Sequence, residues 1–310
     1  MTQEARFAAI DLGSNSFHLI IAAAKRAGGY RIISRYRHKV RLAAGLDQQL
    51  RVNDAAIGRG LQCLSMFRNM LADIPLGHIR CVATATLRKA SNQQQMIAQF
   101  EEALGCPIEV ISGHTEAKLI YQGATSAYAG SSKPLLVLDI GGASTEVIVG
   151  HGTEPLHLES FDLGCVVWQQ RFFHNQTISA TACNDAIASA RALLADHVGR
   201  FKELGWEQVS GASGTFRALL DLRQSRQLTP VIDATWLQQV LAEVIAVGHV
   251  QRLHELPLRR DRTAVFVGGL CILIALLEEL GIHRVHLAAG ALREGLLLQQ
   301  LAAVTAPSNS

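Results

Sequence analysis

The stretch Leu135–Gly150, LLVLDIGGASTEVIVG, predicts a β-strand, a glycine turn and a second β-strand. Four apolar residues lead into Asp139, and another apolar run follows Glu146. Gly141 and Gly142 can take positive φ and expose backbone N–H groups, which lets a turn surround a phosphate oxygen. The two carboxylates at the same end of the hairpin also suit a divalent metal. An ordinary hairpin with a polar tip fits this stretch equally well.

A second copy of this pattern lies at Ile10–Ala22, IDLGSNSFHLIIA. Three of its residues match the first stretch at a constant offset of 128 residues: Asp11 with Asp139, Gly13 with Gly141, and Ser16 with Ser144. Two similar units predict a duplicated domain in which each half presents one phosphate turn. Two such turns facing each other across a cleft would hold a phosphate chain from both sides.

The composition is that of a folded globular protein. The chain has 310 residues, of which 49% are hydrophobic and 18% charged, and this excludes a disordered or fibrous protein. The net charge of +3 is compatible with a polyanionic ligand but gives only weak support for one, and we expect no nucleic-acid partner. The six cysteines form no CxxC pair and no zinc-type spacing, so we expect reduced, mostly buried thiols.

No targeting or membrane segment is evident in the sequence. The first residues lead directly into an apolar strand pattern rather than into a charged start and a long apolar run. The most apolar run, Ala264–Leu277, carries two glycines and is too short to span a bilayer. We therefore expect a cytoplasmic protein without a membrane partner.

Hydrophobic spacing places helices between the strands. An amphipathic helix is predicted to begin at Asn53 or Asp54, and a long one is predicted over Ser179–Leu204. Ala264–Val267 is interpreted as a strand, followed by a Gly-Gly turn and a buried helix over Leu270–Leu280.

Glu116 is a carboxylate that the sequence places where it can point into the cleft. It lies in the first turn of a predicted helix, His114–Tyr121, directly after a short strand, Ile108–Ile111. In open α/β sheets, ligand-binding groups gather at strand ends of this kind. An interaction with the helix dipole explains a carboxylate at this position equally well.

Six ordered motifs carry a family resemblance that covers almost the whole chain: IDLGSNSFHLII, ATATLRKA, ISGHTEAKLIYQG, VLDIGGASTEVIVG, GASGTFRAL and AAGALREGLL. Together they resemble the exopolyphosphatase and guanosine pentaphosphate phosphatase (Ppx/GppA) family. The resemblance implies an α/β fold of two actin-like (ribonuclease H-like) domains, built from a duplicated unit with an interdomain cleft. We place domain I at residues 1–121 and domain II at residues 122–295, with a closing helix, 296–310, that returns to domain I. The chain resembles the short, two-domain form of the family.

The resemblance also implies roles for individual residues. Glu116 matches the general base for water, Arg88 a phosphate-binding arginine, and Asp139 and Glu146 the acidic residues that organise Mg²⁺, with Asp11 as a further ligand. The phosphate turns are matched by Gly13, Ser14, Asn15 and Ser16, by Gly142, Ser144 and Thr145, and by Gly214 and Thr215 followed by the basic Arg217.

Three residues depart from the family pattern. Ala143 stands where a third glycine is usual, so either this position has negative φ or the turn is reshaped. Thr115 precedes Glu116 where many members have a second acid, which leaves one candidate base. Arg217 replaces a frequent lysine, keeping the charge but changing its geometry.

These features predict a Mg²⁺-dependent phosphohydrolase that releases terminal orthophosphate from inorganic polyphosphate. Guanosine pentaphosphate is the alternative substrate, because it requires the same phosphate machinery and the sequence shows no clear guanine pocket. A kinase of the same superfamily and a non-catalytic actin-like nucleotide or polyphosphate sensor are further alternatives. A homodimer is plausible from the resemblance.

Overall fold

A computed structural model describes residues 4–25, 29–126 and 133–305 of the chain. They divide into two compact units, which are treated separately below. The described residues up to Gly123 and from Gly290 onward form the first unit, and those within Ala124–Ala289 form the second.

The first unit is a five-stranded mixed sheet with helices, in the strand order β3-β2-β1-β4-β5. Its elements before the crossover are, in chain order, β1 (Arg6–Leu12), β2 (Phe17–Ala24), β3 (Tyr30–His38), α1 (Asp54–Met70), β4 (Ile79–Ala83), α2 (Ala85–Lys89), α3 (Gln93–Leu104), β5 (Ile108–Val110) and α4 (Gly113–Thr125). The first three strands form an antiparallel meander, and β4 and β5 continue the sheet in parallel.

The core of the first unit lies between this sheet and α1 and α3. Phe17 and Phe100 meet edge to face there, with ring centroids 5.8 Å apart. The predicted start of α1 is confirmed, since the Asn53 side chain accepts a hydrogen bond from the Ala56 amide at 2.9 Å.

The second unit repeats this topology with additional helices. Its sheet has the order β10-β11-β9-β6-β7-β8. Its elements are β6 (Pro134–Ile140), β7 (Thr145–His151), β8 (Glu154–Phe161), α5 (Cys165–Phe172), α6 (Ala180–Leu194), α7 (Val198–Leu204), β9 (Gln208–Ala212), α8 (Ser213–Ser225), β10 (Ile232–Asp233), α9 (Ala234–Val247), α10 (Arg260–Leu280) and β11 (Arg284–Leu287). The strands β8-β7-β6-β9-β11 therefore correspond to β3-β2-β1-β4-β5 of the first unit.

The two glycine turns have matching backbones, which supports the predicted duplication. Leu12 pairs with Phe17 across the first turn, and Ile140 pairs with Thr145 across the second. A Cβ on the first turn glycine would lie 2.9 Å from a carbonyl oxygen three residues later, and on Gly141 it would lie 3.0 Å from the corresponding one. Gly141 and Gly142 can take positive φ, but neither is among the described residues with positive φ.

Two other predictions need correction, and one helix was not predicted. The segment interpreted as a strand and a turn before Leu270 belongs to one continuous helix, α10. The predicted long helix over Ser179–Leu204 is interrupted after Leu194 and forms α6 and α7. Helix α8 directly follows β9 and was not anticipated.

The 21-residue helix α10 is the core helix of the second unit. By length and composition it is apolar enough to cross a membrane, although 72% of its most apolar window is buried inside the protein. It packs against α5, α6 and α9. Burial of this kind is common for the central helix of a folded domain.

The last described element is α11 (Leu292–Thr305), which packs on β1 of the first unit. The Gln300 side chain donates to the Ala8 carbonyl oxygen at 3.3 Å, and Gln299 accepts from Arg80 at 2.6 Å. The unit limits fall after Gly123 and before Gly290, whereas the sequence placed them after residue 121 and before residue 296. The difference at the second limit arises because the segment that leads into α11 already packs with the first unit.

Candidate functional site

The turn between β1 and β2 is fixed by the segment that follows β3. Ser14 and Ser16 are buried, and the Ser14 carbonyl oxygen accepts from the Ala43 amide at 2.9 Å. The Asn15 carbonyl oxygen accepts from the Arg41 amide at 3.0 Å. These bonds use the carbonyl groups of the turn and hold its backbone in one shape.

Arg88 and Glu116 come together in the first unit, although 28 residues separate them. An Arg88 Nη1 atom lies 3.3 Å from Glu116 Oε2 and donates to the Ile111 carbonyl oxygen at 2.7 Å. Glu116 is 7% exposed. It lies in the first turn of α4, whose N-terminus is capped by Ser112 Oγ, which accepts from the Thr115 amide at 3.0 Å. The result is a nearly buried carboxylate whose orientation is fixed by a guanidinium.

Two residues of the first unit that the sequence did not assign, His18 and Arg293, contact each other near Asp11's strand β1. His18 is directly opposite Asp11 in the β1–β2 pair, and its Nδ1 atom is 3.0 Å from Arg293 Nη1 of α11. A guanidinium can only donate, so Nδ1 accepts and the ring proton lies on Nε2. The AAGALREGLL motif contains Arg293, but its spacing gave no indication of a contact with β2.

Asp139 and Glu146 form the carboxylate pair of the second unit. They are opposite each other in the β6–β7 pair, so their side chains lie on the same face of the sheet. Both are buried, with exposures of 4% and 1%. Ser160 of β8 donates to Glu146 Oε1 at 2.8 Å and orients that carboxylate.

The turn between β6 and β7 is held by the start of α5. The amides of Cys165 and Val166 donate to the carbonyl oxygens of Gly141 and Gly142, both at 2.9 Å. Close contact requires Gly164, because a Cβ there would lie 2.3 Å from the Ala143 nitrogen.

The side chains of the second turn fit this backbone without strain. Ala143 is not among the described residues with positive φ, which answers the question raised by the missing third glycine. Ser144 is 3% exposed, and the fully buried Thr145 donates its hydroxyl proton to the Leu163 carbonyl oxygen. A hydroxyl has one proton, so the Thr145 side chain has none left to donate to a ligand.

The third predicted turn has a different cation from the one expected. A Cβ on Gly214 would lie 2.0 Å from Arg262 Nη1, so the guanidinium of Arg262 lies directly against this glycine. Thr215 is buried next to it, and Ser213 has a φ of 68°. Arg217, which the sequence assigned to this turn, is exposed and lines a separate cavity.

Comparison with known proteins places the chain in a family. The model of the Ppx/GppA phosphatase family matches residues 20–303. The chain belongs to this family.

One curated relative in the Ppx/GppA family is the guanosine-5'-triphosphate,3'-diphosphate pyrophosphatase of Aeromonas hydrophila. The chain is 43% identical to it over 291 residues, which cover 94% of the chain and 58% of the relative. The chain therefore spans less than two thirds of that relative's length.

Solved structures of Ppx/GppA proteins share the fold. An exopolyphosphatase from Cytophaga hutchinsonii is 23% identical with a TM-score of 0.86, covering 96% of this chain and 98% of that one. The Aquifex aeolicus family member is 21% identical with a TM-score of 0.77, covering 98% and 99%. These similarities, together with the strand order repeated in the two units, confirm the predicted α/β fold built from a duplicated unit.

The residues present in this Ppx/GppA chain fit a Mg²⁺ ion. Among the described residues, no group of three or more His, Cys, Asp or Glu side chains could hold a metal. Mg²⁺ needs only one or two carboxylates, since waters and substrate phosphates fill its other positions. Asp139 and Glu146 meet that need, and a cation beside two buried carboxylates offsets the repulsion between them.

Proposed function

We propose that this chain is a Mg²⁺-dependent phosphoanhydride hydrolase that removes the terminal phosphate of guanosine pentaphosphate. The hydrolytic part of the proposal rests on the Arg88–Glu116 pair, in which the partly buried guanidinium of α2 holds the buried carboxylate at the start of α4. The name of the 43% identical relative supports this substrate.

Glu116 is the proposed general base. Hydrolysis of a phosphoanhydride needs a water molecule in line with the leaving oxygen, and a group that accepts its proton. A carboxylate fixed by Arg88 can orient such a water. Arg88 also supplies positive charge for the phosphoryl oxygens, while its bond to the Ile111 carbonyl oxygen keeps it in place.

Asp139 and Glu146 of the second unit are the proposed holders of Mg²⁺. When bound, the ion would neutralise charge on the phosphate oxygens. Ser160 fixes Glu146 for this role through its hydroxyl.

We assign phosphate binding to backbone and side-chain donors of the three turns. They are Gly13, Ser14, Asn15 and Ser16 in the first, Gly142, Ser144 and Thr145 in the second, and Gly214 and Thr215 in the third. Thr145 would contribute only its backbone amide. At the third turn we favour Arg262 over Arg217 as the cation, because Arg262 lies against Gly214.

Inorganic polyphosphate is the second candidate substrate. It is favoured by the duplicated turns with matching backbones, which suit a repeating phosphate chain and require no base-binding group.

The deciding experiment measures orthophosphate release from guanosine pentaphosphate, polyphosphate and GTP at matched concentrations with Mg²⁺. We expect the wild-type protein to release phosphate from guanosine pentaphosphate most efficiently, and Glu116→Gln to lower the rate by about 100-fold to 10,000-fold. Glu102→Gln, on the exposed side of α3, is the matched control and should retain the wild-type rate.

Release that is unaffected by Glu116→Gln would contradict the assigned base. Tight binding of these substrates without any release by the wild-type protein would instead support the non-catalytic alternative.

A further inference from the structure

The second unit contains a cavity of about 1070 Å³ that the proposed hydrolysis does not use. It lies between the exposed side of α8 and the strands β9 and β11. Of all the residues assigned to catalysis, metal or phosphate from the sequence, only Arg217 lines it. Its size falls in the range typical of small-molecule sites.

The lining of this cavity carries several cationic or titratable groups from different elements. Arg217 comes from α8, Arg284 and His286 from β11, His283 from the segment before it, and Arg259 from the start of α10. Arg259 forms an ion pair with Asp261, with its Nε atom 3.3 Å from Asp261 Oδ1. Within the described residues, neither Arg217 nor Arg284 has an ion-pair partner, although both are exposed to the cavity.

Acidic residues offset only part of this charge. Glu207 lies at the edge of the cavity but pairs with Lys133 at 3.1 Å. Asp221 of α8 is the other carboxylate in the lining. Arg217 and Arg284, which have no ion-pair partner in the described part of the chain, line the cavity from a helix and a strand, and guanidinium groups can bind phosphoryl oxygens bidentately.

Part of the remaining surface of the cavity is apolar or aromatic, beside the polar Gln208, Ser210 and Gln224. Leu220, Leu228 and Ile282 contribute to it, and Trp206 lines its rim in a half-buried position. A partly exposed indole beside arginines can stack on a planar base, although the arginines alone suffice for a phosphate chain.

We infer that this cavity is a second anion site, which binds a chain of phosphoryl groups through Arg217, Arg284 and Arg259. The chain can belong to a nucleoside triphosphate or to inorganic polyphosphate, because the arginines recognise the phosphoryl oxygens common to both. The site goes beyond the proposed hydrolysis, since it contains neither Glu116 nor the Asp139–Glu146 pair. Its occupation would make the second unit responsive to the phosphorylated compounds that surround it.

Trp206 provides a direct reporter for this site. The other two tryptophans, Trp168 and Trp236, are 1% and 6% exposed. Titration of the protein with GTP or with tripolyphosphate in EDTA should therefore change the emission of Trp206, and Trp206→Phe should remove the change. EDTA excludes Mg²⁺, so turnover at the proposed catalytic site does not contribute.

Arg284→Gln tests the cation in the cavity, and Arg200→Gln is its matched control. Both side chains are exposed in the second unit, and Arg200 lies on α7 outside the cavity, next to Glu203 at 2.7 Å. We expect Arg284→Gln to weaken binding at least about tenfold, as the loss of a charged hydrogen bond does. Arg284→Lys should restore part of the affinity, and Arg200→Gln should bind as the wild type does.

Equal weakening by Arg284→Gln and Arg200→Gln would overturn the site, because it would indicate general attraction of anions. An unchanged Trp206 emission with both ligands would overturn it as well. Binding of GTP alone, tripolyphosphate alone or both supports it and identifies the source of the phosphate chain. Glu116→Gln should bind as the wild type does, so failure of the proposed hydrolysis leaves this test intact.

Discussion

The two glycine hairpins share a backbone but differ at the residue opposite the aspartate. In the second unit Asp139 faces Glu146, which Ser160 orients, whereas in the first unit Asp11 faces His18, which contacts Arg293. The second hairpin thus presents two carboxylates. In the first hairpin, the residue opposite the carboxylate is an imidazole, which in turn contacts a guanidinium. The backbone of the turn is retained, while the chemistry is set by a single cross-strand partner.

A second pair of matching segments follows the parallel strand in each unit. Thr86-Leu87-Arg88 and Thr215-Phe216-Arg217 both bury the threonine and the apolar residue. Arg88 then contacts Glu116, whereas Arg217 lines the cavity of the second unit. Two similar short sequences, TLR and TFR, therefore place their arginines in two different environments.

Within this comparison of the two hairpins, substitution of the residue opposite the aspartate should have the largest effect on activity. We expect Glu146→Gln to lower kcat/KM on the order of 100-fold and to raise the Mg²⁺ concentration needed for activity, because it removes a proposed metal ligand. His18→Gln should leave the Mg²⁺ dependence unchanged. Phosphate release measured over a Mg²⁺ titration compares the two variants. Equal shifts in the Mg²⁺ requirement would show that the hairpins do not differ in this role.

The support of the two turns can be tested through Gly164. The first turn is held by the backbone after β3, but the second needs close approach of Gly164 to Ala143. Gly164→Ala should lower the free energy of unfolding by about 1–3 kcal/mol, because the added methyl group overpacks this contact. Urea unfolding measures the loss.

A glycine with open space around it is the control for this stability test. Gly58 of α1 has no atom within 4 Å of an added Cβ, so Gly58→Ala should stabilise by about 0.5–1 kcal/mol. A Gly164→Ala protein as stable as the wild type would refute the close contact.

The different positions of the arginines near α8 predict a smaller effect on substrate binding. Arg262→Gln should raise KM about tenfold, because Arg262 lies against Gly214. Arg217→Gln should change KM by less than about twofold, since its side chain lines the separate cavity. Initial rates over a range of substrate concentrations distinguish them, and the reverse order would restore Arg217 to the third turn.

The smallest effect concerns two buried thiols of the first unit. Burial raises the pKa of Cys63 to about 12 and that of Cys106 to about 11, from an ordinary value of 9.0. Their contribution to stability is complete below pH 9 and is lost as the pH rises through these values. Urea unfolding at pH 8 and pH 10.5 should show an alkaline loss that is smaller in Cys106→Ala. An identical loss in both proteins would exclude Cys106 as a cause.

Local patterns allowed the hairpins and the start of α1 to be predicted. The apolar runs fix the strand register, and the Asn53 side chain caps the N-terminus of α1. The continuous helix α10 was missed because its paired glycines resemble a turn. These glycines are instead required by tertiary packing. A Cβ on Gly268 would lie 2.6 Å from the Cys165 carbonyl oxygen, and a Cβ on Gly269 would lie 2.5 Å from Thr215 Oγ1.

The polar contacts that were missed join residues far apart in the chain. Arg293 reaches His18 across 275 positions, and no spacing rule connects them. Arg262 was overlooked because Arg217 lies closer in sequence to Gly214, although helix geometry directs Arg217 to the exposed side of α8. Arg88 and Glu116 were identified from motifs, but only the structure shows that they form a pair.

The return of α11 to the first unit has a consequence for how the protein is made. The second unit is continuous from Ala124 to Ala289, so its core can close as soon as that segment has left the ribosome. Strand β1 is translated before the second unit, yet it must wait for α11 before that side of its sheet is covered. The unit whose synthesis begins first is therefore the last to complete its fold.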